Sequence, residues 1–306
     1  MFTRALVPLD DSDVSPGILP HVSSLAQGLD LALVLLTVVD PDASAEQQRA
    51  AEQRLDSFAR GLHQMGLQAE AVVALGNQPA AEILRQVEQQ RCDLVAIATR
   101  DRNLLGQAVM GSVTNQVVRS APAPVLAVTP EKREQPADQT RATSILVPLD
   151  GSSFAEAVLP YVEFLARKLD LSVVLVRVLR YNEVYPPLVS SDMAALPRTA
   201  EVLGEAERAL EDEIIAYLQG LAGKLGGQGL NARWEVLRGP VSSGIATLVR
   251  ELPDSIIALA SRGRSGLLRW VLGSVAEELL RGTGNPVLII PSTVAGEDED
   301  EKGDNG

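Results

Sequence analysis

The chain holds one cysteine, Cys92, among 306 residues, which excludes a disulfide scaffold. It holds two histidines, His21 and His63, neither close in sequence to another candidate ligand. Neither HExxH nor CxxC spacing occurs, so zinc chemistry is disfavoured and no metal site is expected. Basic residues are outnumbered, 27 Lys and Arg against 40 Asp and Glu. The resulting net charge of −13 argues against nucleic acid, whose phosphates need clustered cations. The longest apolar run, Leu31 to Val39, is nine residues, too short to cross a bilayer. Met1-Phe2-Thr3-Arg4 lacks the charged start and long apolar stretch of a signal peptide. A soluble, reducing, cytoplasmic setting is expected. Cys92, just before an apolar run, reads as a small packing residue rather than a nucleophile.

What is present is ordinary globular composition, 46% apolar and 22% charged. The length gives a prior of two domains at about 150 residues each. Part of the negative charge is local: the last ten residues carry −5, leaving −8 for the rest. A solvated, disordered acidic tail over 293–306 is the expectation.

The chain is written twice. Thr3 to Val38 aligns without gaps to Thr143 to Val178 at an offset of 140, with 18 of 36 positions identical. A second block aligns at an offset of 162, matching Gly111-Ser112-Val113 to Gly273-Ser274-Val275 and Pro124-Val125-Leu126 to Pro286-Val287-Leu288. The offset grows by 22, so the second copy carries an insertion, placed at about 180–198 where Pro186, Pro187 and Pro197 fall. Pro130 to Gln139 is polar and without hydrophobic periodicity, as a linker would be. The expected domains are 1–130 and 143–292, with 131–142 joining them.

Within each copy, apolar runs alternate with helical patterns. Ala5 to Val7, Leu31 to Val39, Gln68 to Leu75, Leu94 to Thr99 and Val125 to Val128 suit strands buried on both faces of a parallel sheet. They recur at Ile145 to Val147, Leu171 to Val178, Ala232 to Leu237, Ile256 to Ala260 and Val287 to Ile290. Between them, Leu203, Ala206, Leu210, Ile214, Tyr217 and Leu221 recur at helical spacing. Ser153-Phe154-Ala155-Glu156 has capping-box spacing, and Ser15-Pro16 places a cap before a first-turn proline. Pro20 and Pro160 predict a kink or a delayed helix start. Five strands and four helices per copy make each an α/β doubly wound domain.

Dinucleotide folds place glycines after the first strand. Here that strand ends in Pro8-Leu9-Asp10-Asp11-Ser12 or Pro148-Leu149-Asp150-Gly151-Ser152, and the glycines follow the fourth strand, which disfavours NAD. Gly273-Ser274 opens a helix, whose free N–H groups and positive dipole end suit phosphate. Glycine there permits close approach and positive φ. Asp10 and Asp150 also read as ordinary turn-forming residues, and Gly111 and Gly273 as loop glycines. Recurring in register in both copies, they favour a ligand if the sheet order sets them on opposite sides of one crevice, as the resemblance given next implies.

These residues carry a resemblance: both halves are similar to universal stress protein domains. The shared signals are Val-Pro-Leu-Asp after the first strand and G-x2-G-x9-G-[ST] after the fourth. The second copy reads Ala260-x2-Gly263-x9-Gly273-Ser274, with alanine at the first glycine. The resemblance implies two five-stranded parallel sheets ordered 3-2-1-4-5 with helices on both faces. It implies an ATP crevice between strands one and four, with ADP and AMP as alternatives. Pro148 and Asp150 would meet the adenosine, Val178 the adenine, and Gly263, Gly273, Ser274 and Val275 the phosphates, beside Arg262 and Arg264. Asp150 is the candidate for Mg²⁺.

The first copy departs from the pattern, reading Ala98-x2-Asp101-x9-Gly111-Ser112. A carboxylate at 101 repels phosphate, although Asp10, Val38, Gly111, Ser112 and Thr114 remain in place. The second copy is therefore the better expected site. Asp101→Gly is expected to strengthen nucleotide binding by the first half, and an unchanged titration would count against this reading of the loop. Three functions compete: a nucleotide-dependent stress-response regulator, a nucleotide-independent interaction module, and a slow ATP hydrolase. The last is weakest, because no Walker-type Gly-Lys-[ST] and no second metal carboxylate are found. The resemblance also implies pairing of the two copies across their fifth strands, Val125 to Val128 and Val287 to Ile290, as a pseudo-dimer. A homodimer and an unidentified protein partner stay open.

Overall fold

Ten of the apolar segments become the strands of one sheet. A computed structural model describes residues 1–12, 15–102, 108–109, 111–129, 141–180, 197–261 and 273–291. The first half supplies β1 (Arg4–Pro8), β2 (Ala32–Val39), β3 (Ala69–Leu75) and β4 (Leu94–Ala98). A short antiparallel hairpin, β5 (Arg100–Arg102) with β6 (Ala108–Val109), stands apart from the main sheet, and β7 (Val125–Val128) follows. The second half supplies β8 (Ser144–Pro148), β9 (Ser172–Leu179), β10 (Ala232–Arg238), β11 (Ser255–Ser261) and β12 (Val287–Pro291).

The sheet runs β10-β9-β8-β11-β12-β7-β4-β1-β2-β3, so each half has the order 3-2-1-4-5. Within a half every neighbouring pair is parallel. Between the halves, β12 and β7 pair antiparallel, with Val287 opposite Ala127, Leu288 opposite Leu126 and Ile289 opposite Val125. The pairing removes what would be two exposed apolar edges. The outer edges differ from the expectation of burial on both faces. β3 and β10 are half-exposed and carry Glu70, Arg233, Glu235 and Arg238, charges that discourage another strand from adding there.

Helices cover both faces. The first half has α1 (Leu19–Leu29), α2 (Ala45–Gln64), α3 (Pro79–Gln89) and α4 (Ser112–Ser120). The second has α5 (Ser153–Glu156), α6 (Leu159–Leu169), α7 (Pro197–Gly227), α8 (Val241–Glu251) and α9 (Ser274–Gly282). Strand side chains alternate between two cores, each continuous through both halves. Val7, Leu35, Val147 and Leu175 meet Leu55 of α2 and Ile214 of α7 in one. Leu6, Val34, Leu146 and Val174 meet Ile83 of α3 and Ile245 of α8 in the other. Across the seam, Phe2 packs against Tyr161 and Phe164, with ring centroids 5.8 Å apart in both pairs. A Cβ at Gly28 of α1 would collide with Leu169 of α6, so the helices meet where α1 has no side chain.

Pro20 and Pro160 mark delayed helix starts, not kinks. α1 and α6 begin one residue before them, after a 3-10 turn (Ser15–Ile18) and after α5 respectively. In the first turn proline's missing N–H costs no intrahelical bond. The cap of α5 sits one residue before the expected one, Ser152 Oγ accepting from Ala155 N at 3.1 Å, and in the first half Ser12 Oγ accepts from Ser15 N at 3.2 Å. α7 is 31 residues against 20 for α2, so part of the extra length of the second half is helix. The linker residues 130–140, residues 181–196 of the insertion and the tail from 292 lie outside the described residues. Cys92 is buried, and burial chiefly pushes its thiol up to about 11, which keeps it protonated near neutrality. Among the described residues no helix is long and apolar enough to cross a membrane.

Candidate functional site

In a doubly wound sheet the loops diverge where the strand order reverses, here between β1 and β4 and between β8 and β11. A crevice opens at the carboxyl end of each pair. The first, about 520 Å³, is lined by Pro8, Asp10, Val38, Ala98, Gly111 and Thr114, among others. The second, about 260 Å³, is lined by Pro148, Asp150, Val178, Ala260, Gly273, Ser274 and Val275 together with Arg177 and Arg180. The aspartate loop and the start of the last helix therefore face the same space in both halves. Ser112 is exposed and is not among the residues lining the first crevice. Arg262, Gly263 and Arg264 lie outside the described residues.

Each aspartate forms a turn before it forms anything else. Asp10 Oδ1 accepts from Ser12 N at 3.1 Å and from the Ser12 hydroxyl. Asp150 Oδ1 accepts from Ser152 N at 3.0 Å and from the Ser152 hydroxyl. Burial pushes the Asp10 carboxyl up, but the hydrogen bonds of Ser12 and Ser15, with the charge of Arg54, outweigh it and hold it below the usual range. It stays ionised. The turn and the ligand readings of these aspartates are thus compatible, since the turn is what aims the carboxylate into the crevice.

Gly111 and Gly273 are the N-caps of α4 and α9, with φ of −62° and −60°. These values suit any residue, so positive φ does not explain the glycines. What a side chain would do there explains them better. Neither N-cap offers a side-chain hydrogen bond, whereas Ser44 and Ser152 cap α2 and α5. Among the described residues, a Cβ at Gly273 would meet nothing within 4 Å. The first turn of α9, from Gly273 to Ala276, lines the second crevice with its N–H groups and positive dipole end, a favourable setting for an anion. Thr114 is committed elsewhere: its buried hydroxyl donates to the Ala98 carbonyl at 3.1 Å and ties α4 to β4.

Sequence reasoning missed Arg177 and Arg180. The Arg177 guanidinium lies over Gly151, with its Nη1 2.5 Å from where a Cβ would stand, and its Cζ is 6.0 Å from the Tyr217 ring centroid. Gly151 has a φ of +85°, a backbone conformation that favours glycine, and its missing side chain leaves room for the Arg177 guanidinium. The signal was an arginine inside the apolar run Leu171 to Val178, opposite Thr37 in the first copy. In the first half, the expected glycine loop contains the β5–β6 hairpin, which packs on α9 of the second half.

A larger cavity than either crevice, about 930 Å³, lies on the seam between the halves. Its cations include Lys168 and Arg250, which sit in the last turns of α6 and α8. Basic residues at helix carboxyl ends complement the dipole, and such ends disfavour phosphate. The crevices are the better candidates.

Comparison with known proteins agrees with this architecture. The universal stress protein family model matches residues 1–129 and 142–291. A universal stress protein of Methanocaldococcus jannaschii is 26% identical over 146 residues, which is 44% of this chain and 86% of that protein. One from Thermus aquaticus is 28% identical over 136 residues, 42% of this chain and 99% of that protein. Among solved structures, a universal stress protein from Archaeoglobus fulgidus has a TM-score of 0.69 at 20% identity, covering 94% of this chain and 98% of that one. Its Pseudomonas aeruginosa counterpart has a TM-score of 0.65 at 17% identity, covering 96% and 95%. With a matched stretch in each half and the same topology in both, the chain belongs to the universal stress protein family as a tandem member.

Proposed function

We propose that the chain binds an adenine nucleotide in the crevice of its second half, and that occupancy regulates a stress-response role. The observation that carries this reading is the cavity shared by Asp150, Val178 and the uncapped start of α9 at Gly273. The base would lie along Val178, the sugar by Asp150 and the phosphates on the α9 amides. The larger first crevice has the same geometry, but Asp10 is the one charged group among its described lining residues. Asp101 lies in β5 between Arg100 and Arg102, so that stretch brings one carboxylate and two cations to the first half. Among the described lining residues, charge favours the second half for phosphate.

Among the described residues, no three metal-ligating side chains come together, so any Mg²⁺ would arrive with the nucleotide and find Asp150 as its protein ligand. Turnover in the presence of Mg²⁺ is expected at or below background. The test is to denature the purified protein, chromatograph what it releases, and titrate the stripped chain with ATP, ADP and AMP. Saturable binding at one site per chain is expected. Absence of any binding would favour a nucleotide-independent interaction module, a reading that the β7–β12 pairing keeps in play.

A further inference from the structure

The two crevices differ in charge around the aspartate loop and the end of the second strand. At the offset of 140, Asp11, Thr37 and Asp40 of the first half stand where the second has Gly151, Arg177 and Arg180. These three positions sum to −2 in one copy and +2 in the other. In the first half they serve the fold. Thr37 is buried and donates to the Leu9 carbonyl at 2.9 Å, Asp11 pairs with Arg54 at 2.8 Å, and Asp40 accepts from Asp42 N at 2.8 Å. In the second half, Arg177 and Arg180 line the crevice.

Arg177 is held in place. Glycine at 151 leaves room for its guanidinium beside Asp150, the Tyr217 ring lies beneath it, and Tyr217 donates its hydroxyl proton to Glu156 Oε1 at 2.9 Å. Arg180 follows β9, the second strand of its half, immediately after Leu179. In dinucleotide folds an acid after the second strand reads a ribose hydroxyl, and an arginine nearby accommodates a phosphate on that ribose. Here Arg180 holds that position and lines the second crevice, whereas its counterpart Asp40 is not among the residues lining the first.

The start of α9 and the two arginines, one on β9 and one just after it, line the same crevice. Two separate anion-favouring regions call for a ligand with negative charge at two places. We infer that the second crevice selects adenine nucleotides carrying a phosphate on the ribose as well as on the 5′ carbon. This rests on the nucleotide reading above and narrows it. Arginine is suited to the task because its planar fork bonds a phosphate through two N–H groups.

The experiment uses calorimetric titration of the full chain with AMP, adenosine 2′,5′-bisphosphate and adenosine 3′,5′-bisphosphate, ligands that differ by one phosphate. One bisphosphate is expected to bind about tenfold or more tightly than AMP. In Arg177→Thr the ratio is expected to fall to about one. Arg180→Asp, at an exposed position, is expected to lower the ratio too and serves if the first variant does not fold. AMP binding with no gain from either bisphosphate would overturn the inference and leave the nucleotide reading standing. A ratio unchanged in both variants would overturn it as well. No binding of these ligands or of ATP would remove both.

Discussion

Gly273→Asp is expected to cost the chain at least about 100-fold in nucleotide affinity while leaving the empty protein at least as stable. Gly273 has a φ of −60°, which any residue adopts, and among the described residues a Cβ there meets nothing within 4 Å. Aspartate is moreover a better N-cap than glycine, by a few tenths of a kcal/mol, because its carboxylate accepts from the first amides of the helix. Those are the amides offered to the phosphates. The substitution fills the cradle with a covalently attached anion that also repels the ligand. Two unit charges 4 Å apart at an effective dielectric near 20 repel by about 4 kcal/mol, close to a thousandfold in affinity. Thermal melting separates the two effects. Ligand at about 100 times its Kd stabilises wild type by about 2.7 kcal/mol, and the variant is expected to lose that shift while its ligand-free Tm holds or rises. A variant that still shifts fully with ATP would place the phosphates somewhere other than the start of α9.

The features that make this prediction possible were largely legible in the residues. A parallel sheet buries both faces of its inner strands, so the strands appear as apolar runs, and duplication lets each copy check the other. Topology does the rest: once strands one and four are neighbours, Asp150 after β8 and Gly273 at the start of α9 are brought to one crevice. Less legible was anything set by side-chain direction. Arg177 sits in a strand that is otherwise apolar, and only the structure shows that it reaches the crevice by crossing above Gly151. Ser112 is not among the residues lining the first crevice, although its motif position matches that of Ser274, which lines the second. Residue spacing likewise cannot distinguish a glycine needed for its φ, such as Gly151, from one needed for its missing side chain, such as Gly273. The edge strands β3 and β10 carried their own signal in their charges, which alternation-free apolar runs do not have.

Ile289→Asp is expected to destabilise both halves together, by about 4 kcal/mol or more, lowering Tm by about 6 °C or more. Ile289 is fully buried, pairs with Val125 across the seam, and neighbours Leu259 on β11. A carboxyl group there loses its water without gaining a partner and forfeits the contacts of a large aliphatic side chain. Whether the damage spreads depends on how the cores are built. Both run without interruption through the two halves, and the sheet that separates them is continuous at β7–β12. One cooperative unit follows from that continuity. The two tryptophans, Trp234 and Trp270, both belong to the second half, so their fluorescence follows that half alone, whereas far-ultraviolet circular dichroism follows the whole chain. The two signals are expected to change at the same temperature in wild type and again, lower, in the variant. A variant in which fluorescence melts early while much of the dichroism keeps the wild-type midpoint would mean that the halves are independent and that the seam contributes little to either.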